Sequence, residues 1–231
     1  AGLSTTDVSD KNIAIGNYAM DGVTTLAATE NVFIGYGSGG GAWTGTLSSH
    51  NVAIGNSTMT GAMNQSLRNT AVGFAALKAL TLGDSNIAIG YDALGGAVNG
   101  GEKNVALGNY TLDALTSADN TVAIGHQAGS ALTTQSHNTM IGYQAGTAST
   151  STESVYIGAT AGYNNIANYN VAIGNEAMIT YGDKTAERNV AIGNAALKVI
   201  ETGDKNTSVG GYSGIALTTG SENIFLGYQA G

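Results

Sequence analysis

The sequence contains no cysteine and no proline, and only 10% of its 231 residues are charged. Without cysteine there is no disulfide scaffold and no thiolate-ligated zinc or iron–sulfur centre. Without proline a collagen helix is excluded, and low charge combined with 42% hydrophobic residues separates the chain from disordered polypeptides. Eight Lys and Arg against sixteen Asp and Glu give a formal net charge of −8. That balance cannot neutralise a run of phosphates, so nucleic acid is not an expected partner. No apolar run reaches the roughly 18 residues that span a bilayer, and no membrane insertion is expected. The opening residues, Ala1-Gly2-Leu3-Ser4, carry no basic signal region.

What the sequence has instead is glycine, 35 of them, and a repeat. The pentad Asn12-Ile13-Ala14-Ile15-Gly16 recurs as Asn31 to Gly35, Asn51 to Gly55, Asn69 to Gly73, Asn86 to Gly90 and Asn104 to Gly108. Further copies close at Gly125, Gly142, Gly158, Gly174, Gly193, Gly210 and Gly227, making thirteen at intervals of 16 to 20 residues. That period is too short for two helices and suits one coil of a β-solenoid. The expected fold is therefore all-β, a parallel solenoid or β-roll of about thirteen coils. Residues 1–11 read as a lead-in and residues 12–231 as a single repetitive domain.

The columns of the repeat have physical readings. Ile, Val, Leu or Thr stands one and three places before every closing Gly, so strand alternation sends both to one face, expected to be the core. The residue between them, Ala in eight copies and never charged, is then expected to face outward as an apolar stripe. Asn opens eleven of the thirteen pentads (Asn12, Asn31, Asn51, Asn69, Asn86, Asn104, Asn138, Asn170, Asn189, Asn206 and Asn223), with Thr121 and Ser154 in the other two. Stacked amides one coil apart predict a structural Asn ladder. The third residue after the Gly is always Ala, Ser or Thr. The fourth alternates between Met or Leu and a second Gly, a choice the sequence alone does not explain.

Candidate chemistry is sparse. His50, His126 and His137 fall at different places in their repeats and share no acidic column, which predicts surface roles and no catalytic or metal site. The acidic residues sit mostly in turns, not as the facing pair a glycosidase needs. Gly37 to Gly41 and Gly95 to Gly101 lack the Lys-Ser/Thr of a phosphate loop, and the calcium-binding nonapeptide of other β-rolls is absent. Threonine recurs eight places after the Gly at Thr24, Thr81, Thr116, Thr133, Thr150 and Thr218, too gapped for an ice-binding face. Trp43, the only tryptophan, reads either as a receptor or glycan contact or as a lid tucked onto the core. No cofactor and no enzymatic activity are expected.

The segments Asn189 to Leu197 and Asn138 to Gly146 resemble the repeats of bacteriophage tail-fibre proteins, and are similar also to the head repeats of trimeric autotransporter adhesins. The resemblance runs from Asn12 to Gly231 and carries no catalytic residue. It implies a homotrimeric, extracellular structural and adhesive fibre. The first expectation is the shaft of a virion tail fibre contacting a host cell-surface glycan or protein. The alternative is an adhesin head on a bacterial cell surface; an ice-binding solenoid and a polysaccharide-degrading tailspike are further from the pattern. A chain of stacked coils with no visible cap also predicts an internal portion of a longer polypeptide, or copies stacked end to end.

Overall fold

Each pentad forms one three-residue strand, and its glycine ends it. The structure, a computed structural model, describes residues 11–23, 28–43, 47–179 and 185–231. Of the expected lead-in, only Lys11 lies within them. In chain order the strands are β1 (Ile13–Ile15), β2 (Ala28–Thr29), β3 (Val32–Ile34), β4 (Ser48–Ser49), β5 (Val52–Ile54), β6 (Thr70–Val72), β7 (Ile87–Ile89) and β8 (Val105–Leu107). They continue as β9 (Val122–Ile124), β10 (Thr139–Ile141), β11 (Val155–Ile157), β12 (Val171–Ile173), β13 (Val190–Ile192), β14 (Thr207–Val209) and β15 (Ile224–Leu226). No helix occurs among the described residues, and the fold is the parallel β-solenoid expected, one pentad strand per coil.

The chain divides into two units, Ala1–Asn120 and Thr121–Gly231. In the first, the pentad strands stack in the order β1-β3-β5-β6-β7-β8, with β2 and β4 forming a short side pair. In the second, β9 to β15 stack in sequence order. Within each unit the pentad strands pair parallel and in register, so Val52 faces Thr70, Ala53 faces Ala71 and Ile54 faces Val72. The closing glycine is obligatory for a local reason. Gly90 sits at φ +139°, and a Cβ there would lie 2.5 Å from the Gly108 carbonyl oxygen of the next coil.

The two faces of the strand are the reverse of the expectation. The middle residue points inward: Ala53, Ala71, Ala88, Ala106, Ala123, Ala172 and Ala191 are fully buried, as are Phe33, Met140, Tyr156 and Ser208. The flanking Val, Ile and Thr point outward, and Ile54, Ile87, Ile89 and Leu107 remain 37–41% exposed. Coil width is the reason. Opposite the strand, the fourth residue after the Gly enters the same narrow interior, where Met20, Met59, Leu77, Leu94, Leu112, Met178 and Leu197 are buried. An Ala on one wall leaves room for a Leu or Met on the other; two branched residues do not fit.

This packing accounts for four of the six glycines at the fourth position. Where the strand residue is large, the fourth position is glycine. Phe33 pairs with Gly39, Met140 with Gly146, Tyr156 with Gly162 and Phe225 with Gly231. A Cβ at Gly39 would sit 2.6 Å from Phe33 Cδ1. One volume is filled from either wall. Two coils have no large side chain on either wall, Ala123 with Gly129 and Ser208 with Gly214; in the second, Leu197 and Phe225 of the coils on either side reach toward Gly214. A further buried wall, seven or eight residues after the Gly, comprises Val23, Met63, Leu80, Val98, Leu115, Leu132 and Ile200, and had no counterpart among the expected core columns.

Candidate functional site

The most regular polar feature is the Asn column. Asn86 Oδ1 accepts from Asn104 N at 3.0 Å and Asn104 Nδ2 at 3.1 Å, while Asn86 Nδ2 donates to Asn69 Oδ1 at 3.1 Å and Gly101 O at 2.8 Å. Asn12, Asn31, Asn51 and Asn69 repeat the arrangement in the first unit. In the second, Asn170, Asn189, Asn206 and Asn223 do so. Where the amide is missing, a hydroxyl takes part: Ser154 N donates to Asn138 Oδ1 at 3.1 Å, and Ser154 Oγ accepts from Asn170 N at 3.2 Å. Asn31, Asn51, Asn69, Asn86, Asn104, Asn138, Asn170, Asn189 and Asn206 are fully buried. All their amide capacity is spent within the coil stack, so the column offers nothing to a ligand.

Trp43 is not placed to meet a receptor. It is 3% exposed, its indole Nε1 donates to Gly39 O at 3.1 Å, and its ring meets Phe33 edge-on at 5.7 Å between centroids. Phe33 and Gly39 form one of the exchanged pairs, and the tryptophan closes the interior of that coil. The contact reading of Trp43 is replaced by the lid reading, because an indole whose face covers an aromatic core and whose N–H is satisfied is stable there.

The histidines and carboxylates are corner residues. His50 Nε2 meets Glu30 Oε2 at 2.5 Å and Nδ1 meets Ser49 Oγ at 3.0 Å, while Lys11 Nζ reaches Glu30 Oε1 at 3.1 Å. The Lys11 hydrogen bond, then its charge and that of His50, hold the Glu30 carboxyl below the usual range. His126 stacks on Tyr143 at 5.7 Å. Asp84, Asp119 and Asp204 use a carboxylate oxygen to accept the backbone N–H of Leu67, Glu102 and Glu187, each one coil earlier. No group of three or more His, Cys, Asp or Glu suited to a metal ion occurs among the described residues. Of the threonine column, Thr24 lies outside the described residues; Thr81 Oγ1 donates to Val98 O at 3.1 Å, and Thr150 and Thr218 are exposed.

Two features were not anticipated. One is a shallow cavity of about 260 Å³ in the second unit, lined by Gln144, Thr160, Tyr163, Glu176 and Ile179. Glu176 there is tied to Lys198 at 2.6 Å. The other is an exposed aromatic corner one or two residues past the closing Gly. Phe74, Tyr91 and Tyr110 succeed one another at 5.1 and 5.2 Å, and Tyr18 meets Tyr36 at 5.4 Å. Its signal was in the sequence, in the recurrence of Gly-Tyr, Gly-Phe and Gly-Asn-Tyr, but it is interrupted by Asn56, Ala159 and Asn194.

No family model, curated protein or solved structure matches the chain. Function therefore rests on geometry, and the geometry is that of repeated surfaces. The side chains of the Asn column are paired with neighbouring coils, and large apolar side chains are displayed along one strand face and one corner.

Proposed function

We propose that this chain is a structural and adhesive segment of an extracellular fibre, the shaft of a bacteriophage tail fibre by preference and a bacterial surface adhesin head as the alternative. The observation that carries this reading is the Asn column, which ties each coil to the next within a unit through both backbone and side chain. A polypeptide that invests a buried amide in nearly every coil is built to hold one coil on another. The resemblance of its repeats adds homotrimeric assembly, virion location and attachment to a host-surface glycan or protein.

The test is the purified chain coated on beads and presented to a panel of bacterial strains, with negative-stain microscopy of the same preparation. Slender particles and strain-dependent adhesion are expected. Compact particles, or beads that adhere to no strain, would remove the reading. Release of reducing sugar from capsule would assign the chain to the polysaccharide-degrading class instead.

A further inference from the structure

The outward face of the pentad strands is the largest structural fact without a counterpart inside the chain. Every strand displays two side chains there, and all are Ile, Val, Leu or Thr. None carries charge. A three-residue strand covers about 10 Å along its length and 4.8 Å across, so six strands in the first unit present roughly 300 Å² and seven in the second slightly more. Each footprint by itself is already the size of the largest apolar patch usual on a monomer, a size that often marks an interaction surface. In the coils that carry them, the exposed tyrosines Tyr18, Tyr36, Tyr91, Tyr110, Tyr143, Tyr212 and Tyr228 lie two or three residues further along the chain.

The pattern along this face narrows the choice of occupant. A surface repeating at the strand spacing is matched throughout only by a partner with the same spacing, and a second copy of the chain has it by construction. The residue three before the Gly is Val or Ile except at Thr70, Thr139 and Thr207, which stand in every fourth pentad. In the second unit Thr139 in β10 and Thr207 in β14 are four strands apart. Both threonines lie half-buried in the strand face, and their strand neighbours, Val122 and Val155 for the one and Val190 and Ile224 for the other, are wholly apolar. Against a partner's hydroxyl a threonine hydroxyl keeps a hydrogen bond; against a valine it is desolvated with none. A sparse polar residue in an apolar seam is a register device.

We infer that a second copy of this chain covers the outward strand face, seated so that threonine-bearing coils lie against threonine-bearing coils. The inference rests on the multi-chain form of the fibre reading and supplies the contact surface and register it leaves open.

The experiment uses the full chain. Light scattering at micromolar concentration should give a multiple of 23.1 kDa. The double substitution Ile54→Asp and Ile89→Asp should reduce it to the monomer mass while the far-ultraviolet dichroism stays that of the parent. Because the sequence contains no cysteine, single-cysteine variants report register without background. Thr139→Cys should cross-link to itself on oxidation. In an equal mixture with Val122→Cys, mixed products should fall below the half that random pairing gives. A monomeric parent overturns the inference, and thermal hysteresis from that monomer would give the face to ice. Mixed products at the random level overturn the register. A multimer that adheres to no cell would keep the inference and remove the adhesive reading, so the two fail separately.

Discussion

Asn86 shows how much of the fold one side chain holds. Its amide bridges three coils, accepting from Asn104 and donating to Asn69 and Gly101, with no exposure to water. Asn86→Ala leaves the Gly101 carbonyl and the Asn104 N–H without partners, and each orphaned buried group costs about 1–3 kcal/mol. A loss near 3 kcal/mol is expected from urea denaturation, against under about 1 kcal/mol for Asn223→Ala, whose amide is only part-buried. This column was legible because its chemistry dictates its identity: a short amide accepts two N–H groups and donates two, whereas the hydroxyl of Ser154 has a single hydrogen to give. Trp43 was not legible in the same way. Its fate depends on Phe33 and Gly39, whose joint departure from the usual Ala and Met makes sense only once both are known to fill one space.

A coil's interior is set by a sum of two walls. Tyr156 fills its coil from the strand side, its hydroxyl donating to Ser151 Oγ at 3.1 Å, and Gly162 stands opposite at φ +64°. Leu197 occupies the equivalent place in another coil at φ +48°, so the backbone accepts leucine there when the space is free. Tyr156→Ala should cost about 3–5 kcal/mol through its cavity, and Gly162→Leu a comparable amount through overlap with the ring. The double variant should recover most of both losses, a coupling that a double-mutant cycle by thermal melting measures. The coil, its strand and its closing glycine were readable from period and residue type. The inward face was not, because alternation says that neighbours point oppositely and leaves open which points in. With Ala on one face and Ile on the other, hydrophobicity favours the wrong one; volume decides.

Acid should act on the whole molecule with two signs. Glu30 is held below its ordinary value by Lys11 and His50, so its contribution is present above the unfolded carboxylate value and is lost as pH falls through the folded one. Burial pushes Asp113 up, so it opposes folding at neutral pH, and that penalty disappears as pH falls from its folded value past the unfolded one. Glu30→Gln should lower the melting temperature at pH 7, Asp113→Asn should raise it, and both differences should vanish on acidification past the carboxylate range. The backbone has a larger consequence. In a single coil Lys103, Tyr110 and Leu112 sit at φ 56°, 56° and 51°, a left-handed conformation that costs an ordinary residue about 1 kcal/mol or more. Most of the bonds that offset this run to a neighbouring coil, as Lys103 N to Asp84 O, Tyr110 N to Tyr91 O and Asn104 N to Asn86 Oδ1. A coil alone bears the cost without the return, so peptides of one or two coils should show no β-structure by circular dichroism. Order in this chain then spreads as a crystal grows, each finished layer serving as the template that makes the next one affordable.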